Sequence, residues 1–204
     1  MEKLQYISQG KSESEQKFNI HKALDNGIQW VQVRWKDAPE NEFIRLCENV
    51  KQLCSNYNAI CIINDNVRIA KMIDSDGVHL GLNDELISEA RLILGDHKTI
   101  GGTANTLSDV LQRINEGCDY IGLGPLRFTA TKEKLSPVLG FDGYQNIIEN
   151  LQKESIAIPK IYAIGGVRLE DITPLQQAGI YGAAVSGQIT GNPSIINEFK
   201  TIMK

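Results

Sequence analysis

Ile60-Cys-Ile-Ile-Asn-Asp-Asn66 and Asp76-Gly-Val-His-Leu-Gly-Leu-Asn-Asp84, with a short helical stretch near Arg68–Ile73 between them, decide how this chain reads. The runs Ala59–Ile63 and Gly77–Leu80 are short and apolar on both faces, the pattern of strands buried inside and out in a parallel sheet. Parallel neighbours need a crossover connection, usually a helix. Each run also ends in polar residues: Asn64 and Asp65 close the first, and Asp84 follows the second. Two hard oxygen ligands from neighbouring strand ends can hold Mg²⁺ that keeps most of its waters and takes its remaining ligands from a substrate phosphate.

Outward from this unit the same alternation fills the chain. On the N-terminal side, Leu4–Ser8 precedes a polar helical stretch ending near Gly27. Ile28–Trp35 and a helix over about Pro39–Ser55 follow, with Phe43, Leu46, Cys47, Val50 and Leu53 on one stripe. Pro39 suits a first helical turn, where a missing N–H is no loss. On the C-terminal side a helix over Leu86–Leu94 leads to Lys98–Gly102. Thr106 then opens a helix as its N-cap, and Gly117 stands just past its end. Tyr120–Leu123, a long polar loop, a helix near Tyr144–Gln152, and Lys160–Ile164 come next. A helix over Glu170–Ala178, interrupted by Pro174, and Gly182–Val185 follow, and Asn192-Pro193 reads as the N-cap and N1 pair of a last helix. Eight strand–helix units, each on the order of 25 residues, predict an α/β fold: a (β/α)₈ TIM barrel forming a single catalytic domain over residues 1–204. An open doubly wound sheet is the alternative; against it, no GxGxxG follows the first strand.

Composition narrows the function. The 204 residues are 42% apolar and 23% charged, ordinary for a globular protein. No apolar run approaches the roughly 20 residues of a membrane span. The N-terminus shows no signal-peptide core, so a cytoplasmic location and no membrane partner are expected. The four cysteines, Cys47, Cys54, Cys61 and Cys118, show no CxxC spacing and read as reduced structural thiols. A net charge of −4 argues against nucleic acid as partner. It leaves open an anionic small molecule held by a local cluster of cations.

In a barrel, active-site residues come from the C-terminal ends of strands. Strand 2 ends Val31-Gln32-Val33-Arg34-Trp35-Lys36, and alternation places Gln32, Arg34 and Lys36 on one face. Such a row suits a polyanion; a solvated edge or internal ion pair is the competing reading. His79 is tempting as a base, but a histidine between Val78 and Leu80 is more often a packed, hydrogen-bonded core residue. After strand 5, Gly101-Gly102-Thr103 offers backbone N–H groups and a hydroxyl. After strand 6, Thr129, Thr131 and Lys132 place two hydroxyls and an ammonium on one loop, fit for a phosphate clamp or lid. Gly165-Gly166 and Ser186-Gly187 end strands 7 and 8, whose loops often bind phosphate through backbone N–H groups. Two anionic subsites follow, hence two phosphorylated substrates.

The motifs Gln32-x-Arg34-x-Lys36, Ile63-Asn64-Asp65, Gly77-Val78-His79-Leu80-Gly81-x-x-Asp84, Gly122-Leu123-Gly124-Pro125, Thr129-x-Thr131-Lys132 and Ala163-Ile164-Gly165-Gly166, in this order over nearly the whole chain, resemble those of the thiamine-phosphate synthase (thiamine-phosphate pyrophosphorylase) family. Each is weak alone; six at the correct strand ends are strong. The resemblance implies a Mg²⁺-dependent transferase that joins 4-amino-2-methyl-5-(hydroxymethyl)pyrimidine diphosphate to hydroxyethylthiazole phosphate, or its carboxylated form, giving thiamine phosphate and diphosphate. It implies Asp65 and Asp84 as metal ligands. Gln32, Arg34, Lys36, Asn64, Thr103 and Lys132 would hold the pyrimidine diphosphate, with Arg34, Lys36 and Lys132 in the catalytic role. Thr129, Thr131, Gly166, Ser186 and Gly187 would hold the thiazole phosphate.

The family is thought to react dissociatively, so neutralising the leaving diphosphate matters most and no general base is needed. That fits a chain without a convincing Cys/His or Ser/His pair. The sequence departs from the family pattern at Leu82 (usually Gln), Thr103-Ala104-Asn105 (Ser-x-His), Phe128 (Pro) and Ser186-Gly187 (Ile-Ser). None of these removes a metal ligand or a diphosphate cation. Two other readings remain in play: a thiazole tautomerase-like isomerase, which uses a His where this chain has Asn105, and a non-catalytic barrel that binds thiamine precursors. Family members commonly form dimers or trimers; the sequence does not fix the oligomeric state.

Overall fold

The computed structural model describes residues 1–128, 137–154 and 157–203. Eight parallel strands close in sequence order, with β8 pairing back onto β1. They are β1 (Leu4–Ile7), β2 (Trp30–Val33), β3 (Ile60–Asn64), β4 (Gly77–Leu80), β5 (Thr99–Ala104), β6 (Tyr120–Leu123), β7 (Lys160–Ala163) and β8 (Gly182–Val185). Around them run α1 (Glu13–Asp25), α2 (Glu40–Asn56), α3 (Val67–Met72), α4 (Ile87–Leu94), α5 (Leu107–Asn115), α6 (Gly140–Lys153), α7 (Ile172–Gln177), α8 (Gly187–Gly191) and α9 (Ile195–Ile202). The (β/α)₈ expectation holds. Among the described residues no helix is long and apolar enough to cross a membrane.

Period-two alternation sorts the strand residues into two cores. Val31, Val33, Cys61, Ile63, Val78, Leu80, Ile121 and Leu123 point outward and pack under the helices. Trp30, Ile62, Tyr120 and Tyr162 form a separate cluster inside the barrel. The Trp30 ring meets both tyrosines edge-on at 4.9 Å, a preferred aromatic geometry. Glycines on neighbouring strands make this possible: a Cβ at Gly101 would sit 2.1 Å from Tyr120 Cζ, and one at Gly182 would sit 2.7 Å from Tyr162 Cε1. Aromatics therefore plug the barrel, and the space above them is lined by polar side chains such as Gln5, Gln32, Asn64 and Thr103 together with apolar ones such as Ile7, Ile164 and Val185.

Several boundaries move for local reasons. Strand 2 stops at Val33, so Arg34, Trp35 and Lys36 lie in the following loop and the expected alternation does not extend to them. Thr106 caps α5 as predicted, in a reciprocal capping box with Asp109. Pro39 is the N-cap residue of α2, one position before its first turn. Pro174 is the third residue of α7, where its absent N–H is still one of the helix's unbonded donors, and a 3₁₀ turn over Leu169–Asp171 precedes it. Asn192-Pro193 does not cap the last helix: a separate short helix, α8, ends at Gly191, and α9 is capped at Ser194.

The four cysteines are free and buried. Burial pushes the Cys118 thiol up to about 12 and that of Cys47 higher still, as expected of inert structural thiols.

Candidate active site

The inward positions at the C-terminal ends of the strands line one cavity of about 640 Å³. Of the sequence-predicted residues, Gln32, Arg34, Lys36, Asn64, Thr103, Gly166, Ser186 and Gly187 all line it. Thr129, Thr131 and Lys132 lie outside the described residues. Asp65 and Asp84 stand beside the cavity wall, next to its cationic side.

That side is built by β1, β2 and β3. The Ser8 N–H donates to the Gln32 carbonyl at 2.9 Å, and the Arg34 N–H donates to Ser8 Oγ at 2.9 Å. Gln16 Nε2, from α1, donates to the carbonyls of Arg34 at 3.0 Å and Gly10 at 3.1 Å. The backbone of Arg34 is thereby fixed although it has left the strand. Burial draws the Arg34 guanidinium below its ordinary pKa, and the carboxylates of Asp65 and then Asp37 oppose that. The guanidinium stays charged in either case.

Asp65 takes the left-handed backbone conformation (φ 63°), turning the chain sharply as it leaves β3 while its N–H donates to the His79 carbonyl at 2.9 Å. Its carboxyl is pushed up to about 6, first by burial and then by hydrogen bonding and repulsion from Asp84, with Lys36 and Arg34 pulling the other way. Asp84 Oδ2 accepts the Gly81 N–H at 2.6 Å. Two carboxyl groups held together at the cost of mutual repulsion are a donor set that fits a hard divalent cation. Among the described residues there is no group of three or more His, Cys, Asp or Glu side chains able to bind a metal. A cation held by these two carboxyls alone would leave room for water and substrate oxygens, which Mg²⁺ commonly takes.

The other side is built by β7 and by β8, which pairs with β1. Gly165 (φ 79°) and Gly166 (φ 73°) are both left-handed, which glycine adopts without penalty. Their carbonyls are engaged by Arg127: its N–H donates to Gly165 O at 3.0 Å and its Nη1 to Gly166 O at 3.1 Å. A trans peptide points its N–H opposite its C=O. The N–H groups of Gly166 and Val167 therefore face away from Arg127, on the side where these residues line the cavity. Arg127 is itself held by a bidentate pair with Asp171, whose side chain is 2% exposed. This neutral, amide-rich wall continues through Ser186 and Gly187.

Sequence reasoning missed the residues that brace the site. Gln5, Tyr120 and Tyr162 also line the cavity. Gln5 could have been found by its inward parity in an apolar strand. The Arg127–Asp171 pair spans 44 residues and leaves no local signal. His79 is buried between Tyr120 and Thr103, as a packed, hydrogen-bonded histidine should be.

The chain is similar to known proteins over most of its length. The sequence model of the family described as thiamine monophosphate synthase matches residues 4–189. A thiamine-phosphate synthase of Flavobacterium psychrophilum is 60% identical over 188 residues, covering 92% of this chain and 91% of that protein. One from Flavobacterium johnsoniae is 55% identical over 188 residues, covering 92% of this chain and 88% of that protein. The solved structure of thiamine phosphate pyrophosphorylase from Pyrococcus furiosus superposes with a TM-score of 0.82 at 30% identity, covering 98% of this chain and 95% of that one.

Proposed function

The chain belongs to the thiamine monophosphate synthase family and is a transferase of that family, and from this premise we propose how its cavity works. The reaction joins the pyrimidine diphosphate to the thiazole phosphate, releasing diphosphate. The observation that carries the reading is the division of one cavity into a wall with Arg34 and Lys36, beside which the Asp65–Asp84 pair stands, and a second wall of backbone amides at Gly165–Val167 and Ser186–Gly187.

Arg34 and Lys36 would bind the diphosphate and stabilise the negative charge that grows on it as the C–O bond breaks. Gln32 and Asn64, at inward positions on β2 and β3, orient the pyrimidine end. Asp65 and Asp84 would hold Mg²⁺, which when bound supplies further neutralisation of the leaving diphosphate. Gly166, Ser186 and Gly187 would hold the thiazole phosphate at a fixed distance, so that its ring nitrogen meets the pyrimidine methylene carbon without a diffusive search. Thr129, Thr131 and Lys132 complete these two subsites in the proposal. No residue has to take a proton. The isomerase reading finds no support at Asn105, whose amide is turned onto the Gly124 carbonyl. The four free, buried thiols support a cytoplasmic site of action.

The test is a turnover assay with both phosphorylated substrates, with Mg²⁺ and with EDTA, following product by mass or thiochrome fluorescence. Mg²⁺-dependent thiamine phosphate is the expected result. Binding of both ligands without product would overturn the transferase assignment, and full activity in EDTA would overturn the metal site.

A further inference from the structure

The amide wall after β7 is held from behind by a charge pair that the proposed reaction leaves unused. Neither Arg127 nor Asp171 is among the described residues that line the cavity. Arg127 nevertheless grips two successive peptide groups of the wall, each with a different part of itself. Its backbone N–H holds the Gly165 carbonyl at 3.0 Å, and its Nη1 holds the Gly166 carbonyl at 3.1 Å. Because N–H and C=O oppose each other in a trans peptide, the backbone contact aims the Gly166 N–H and the guanidinium aims the Val167 N–H. Val167 is 4% exposed, and among the described residues its N–H has no hydrogen-bond partner. Buried backbone donors are almost always paired, so the partner of this one comes from the cavity that Val167 lines.

Two consecutive left-handed glycines do not keep such an aim unaided. Glycine gives up more conformational freedom on ordering than any other residue, and a ligand that had to order Gly165-Gly166 would bind more weakly for it. The guanidinium supplies that order before a ligand arrives. A charged donor on the carbonyl also polarises the peptide group, which makes the N–H on its far side a stronger donor. Asp171 completes the device. Its two oxygens take Nη1 and Nη2 of Arg127, the latter at 2.6 Å, and so fix the plane of the guanidinium. Asp171 Oδ2 also accepts the Arg168 N–H at 2.7 Å, pinning the chain where it leaves the wall. The carboxylate is 2% exposed and balances the charge of Arg127, so the wall presents oriented dipoles to the cavity and no net cation.

We propose that Arg127 and Asp171 are positioning residues: a charge pair behind the cavity wall that presets the Val167 amide as a hydrogen-bond donor to a phosphoryl group, without touching that group. Given the transferase reading above, on which the identity of the ligand rests, the phosphoryl group is that of the thiazole phosphate. The side chain of Arg127 governs the Val167 amide, and its backbone governs the Gly166 amide. Substitution of the side chain therefore separates the two.

Arg127→Met takes the donor from the Gly166 carbonyl but also strands the buried Asp171 carboxylate, so Arg127→Met/Asp171→Asn is made beside it. The double variant removes the stranded charge and keeps an oxygen for the Arg168 N–H, so its stability should recover while the Gly166 carbonyl stays unheld. The direct probe is inorganic phosphate, added to ¹⁵N-labelled protein and followed by NMR. In the wild type, phosphate should shift both the Gly166 and the Val167 amide protons. In the double variant the Val167 shift should vanish, the Gly166 shift should persist, and the phosphate Kd should rise about tenfold, the loss of one hydrogen bond to a charged group. No Val167 shift in the wild type, or the same shift in the double variant, overturns the proposal. In turnover, the double variant should raise KM for the thiazole phosphate about tenfold and leave KM for the pyrimidine diphosphate unchanged. A KM that recovers together with stability would show that the pair serves the fold alone, and would sink the proposal. If the wild type forms no thiamine phosphate, the transferase reading fails, and the phosphate titration still decides the role of the pair.

Discussion

Replacing Arg113 by Met removes a buried cation that ties three parts of the barrel together. Arg113 lies on α5, and its side chain is 2% exposed. Its Nε donates to the Thr103 carbonyl at 3.1 Å, its Nη2 to the Gly81 carbonyl at 2.8 Å, and its Nη1 to Glu116 Oε2 at 2.6 Å. Gly81 in turn donates its N–H to Asp84, so the guanidinium braces the turn that carries one of the proposed metal ligands. Met keeps length and apolar volume, so little packing is lost. What is lost is three hydrogen bonds from a charged donor, each about 1.5–3 kcal/mol net. Two carbonyls and a mostly buried carboxylate are left behind. These terms overlap, and breaking a buried ion pair from one side typically costs about 3–5 kcal/mol. The same range is expected here, lowering Tm by about 6–20 °C for a domain of this size. Urea unfolding followed by circular dichroism and by tryptophan fluorescence would read it, provided the two transitions coincide. Adding Glu116→Gln should recover part of the loss, because the stranded carboxylate disappears. A change under about 1 kcal/mol, or no recovery in the double variant, would refute the claim that this network is under electrostatic load.

Three further outcomes follow from the site. Gly165→Ala forces a side chain into φ 79°, with its Cβ 2.5 Å from Pro125 Cβ; a loss of about 1–3 kcal/mol and a selective rise in KM for the thiazole phosphate are expected, both read on the purified variant. Asp171 experiences burial, which raises its pKa, but the hydrogen bonds from Arg127 and from the Arg168 N–H outweigh it and leave the carboxyl below its ordinary value. Its contribution is therefore full above the unfolded carboxylate pKa of about 4 and lost as pH falls through the lower folded value. Arg127→Gln should accordingly be less stable than wild type near neutrality, with the gap closing in acid; a pH-independent gap would contradict this. Asp65→Asn and Arg34→Ala should each cut turnover by about 100-fold or more, as expected for groups serving charge on the leaving diphosphate. Metal-free Asp65→Asn should be no less stable than wild type, since it removes one of two adjacent carboxylates; unchanged turnover in either variant would break the diphosphate assignment.

How far the sequence could be read depended on the range of the interaction. The barrel was legible because strand burial and helix stripes repeat locally, and because residues with chemistry stood at the ends of apolar runs. Gln32, Asn64 and Thr103 line the cavity for the reason parity predicts. Arg34 and Lys36 reach it for another reason: the chain has left the strand, and Ser8 and Gln16 hold it there. The short helix after β8 was missed because five residues ending in glycine carry too little periodicity to register. The Arg113 and Arg127 anchors were invisible because the contacts that make them anchors, Arg113 with the Gly81 carbonyl and Arg127 with Asp171, join residues 32 and 44 positions apart; the local Arg113–Glu116 pair does not reveal them.

The placement of charge in the cavity follows from what catalysis requires. A transferase gains rate only from interactions that strengthen as the transition state forms. Under the proposed reaction the diphosphate gains negative charge as it leaves, while the thiazole phosphate keeps its charge throughout. Guanidinium, ammonium and a metal-binding carboxylate pair on the diphosphate side would act on the changing charge. A cation of equal strength against the thiazole phosphate would bind ground state and transition state alike, and would lower KM without raising kcat. Backbone amides on glycines are the weaker, fixed donors suited to holding a group whose charge does not change. The raised carboxyl of Asp65 fits the same logic. The fold holds two carboxylates together at some cost in stability, and a bound cation would relieve that cost when the substrate pair is assembled.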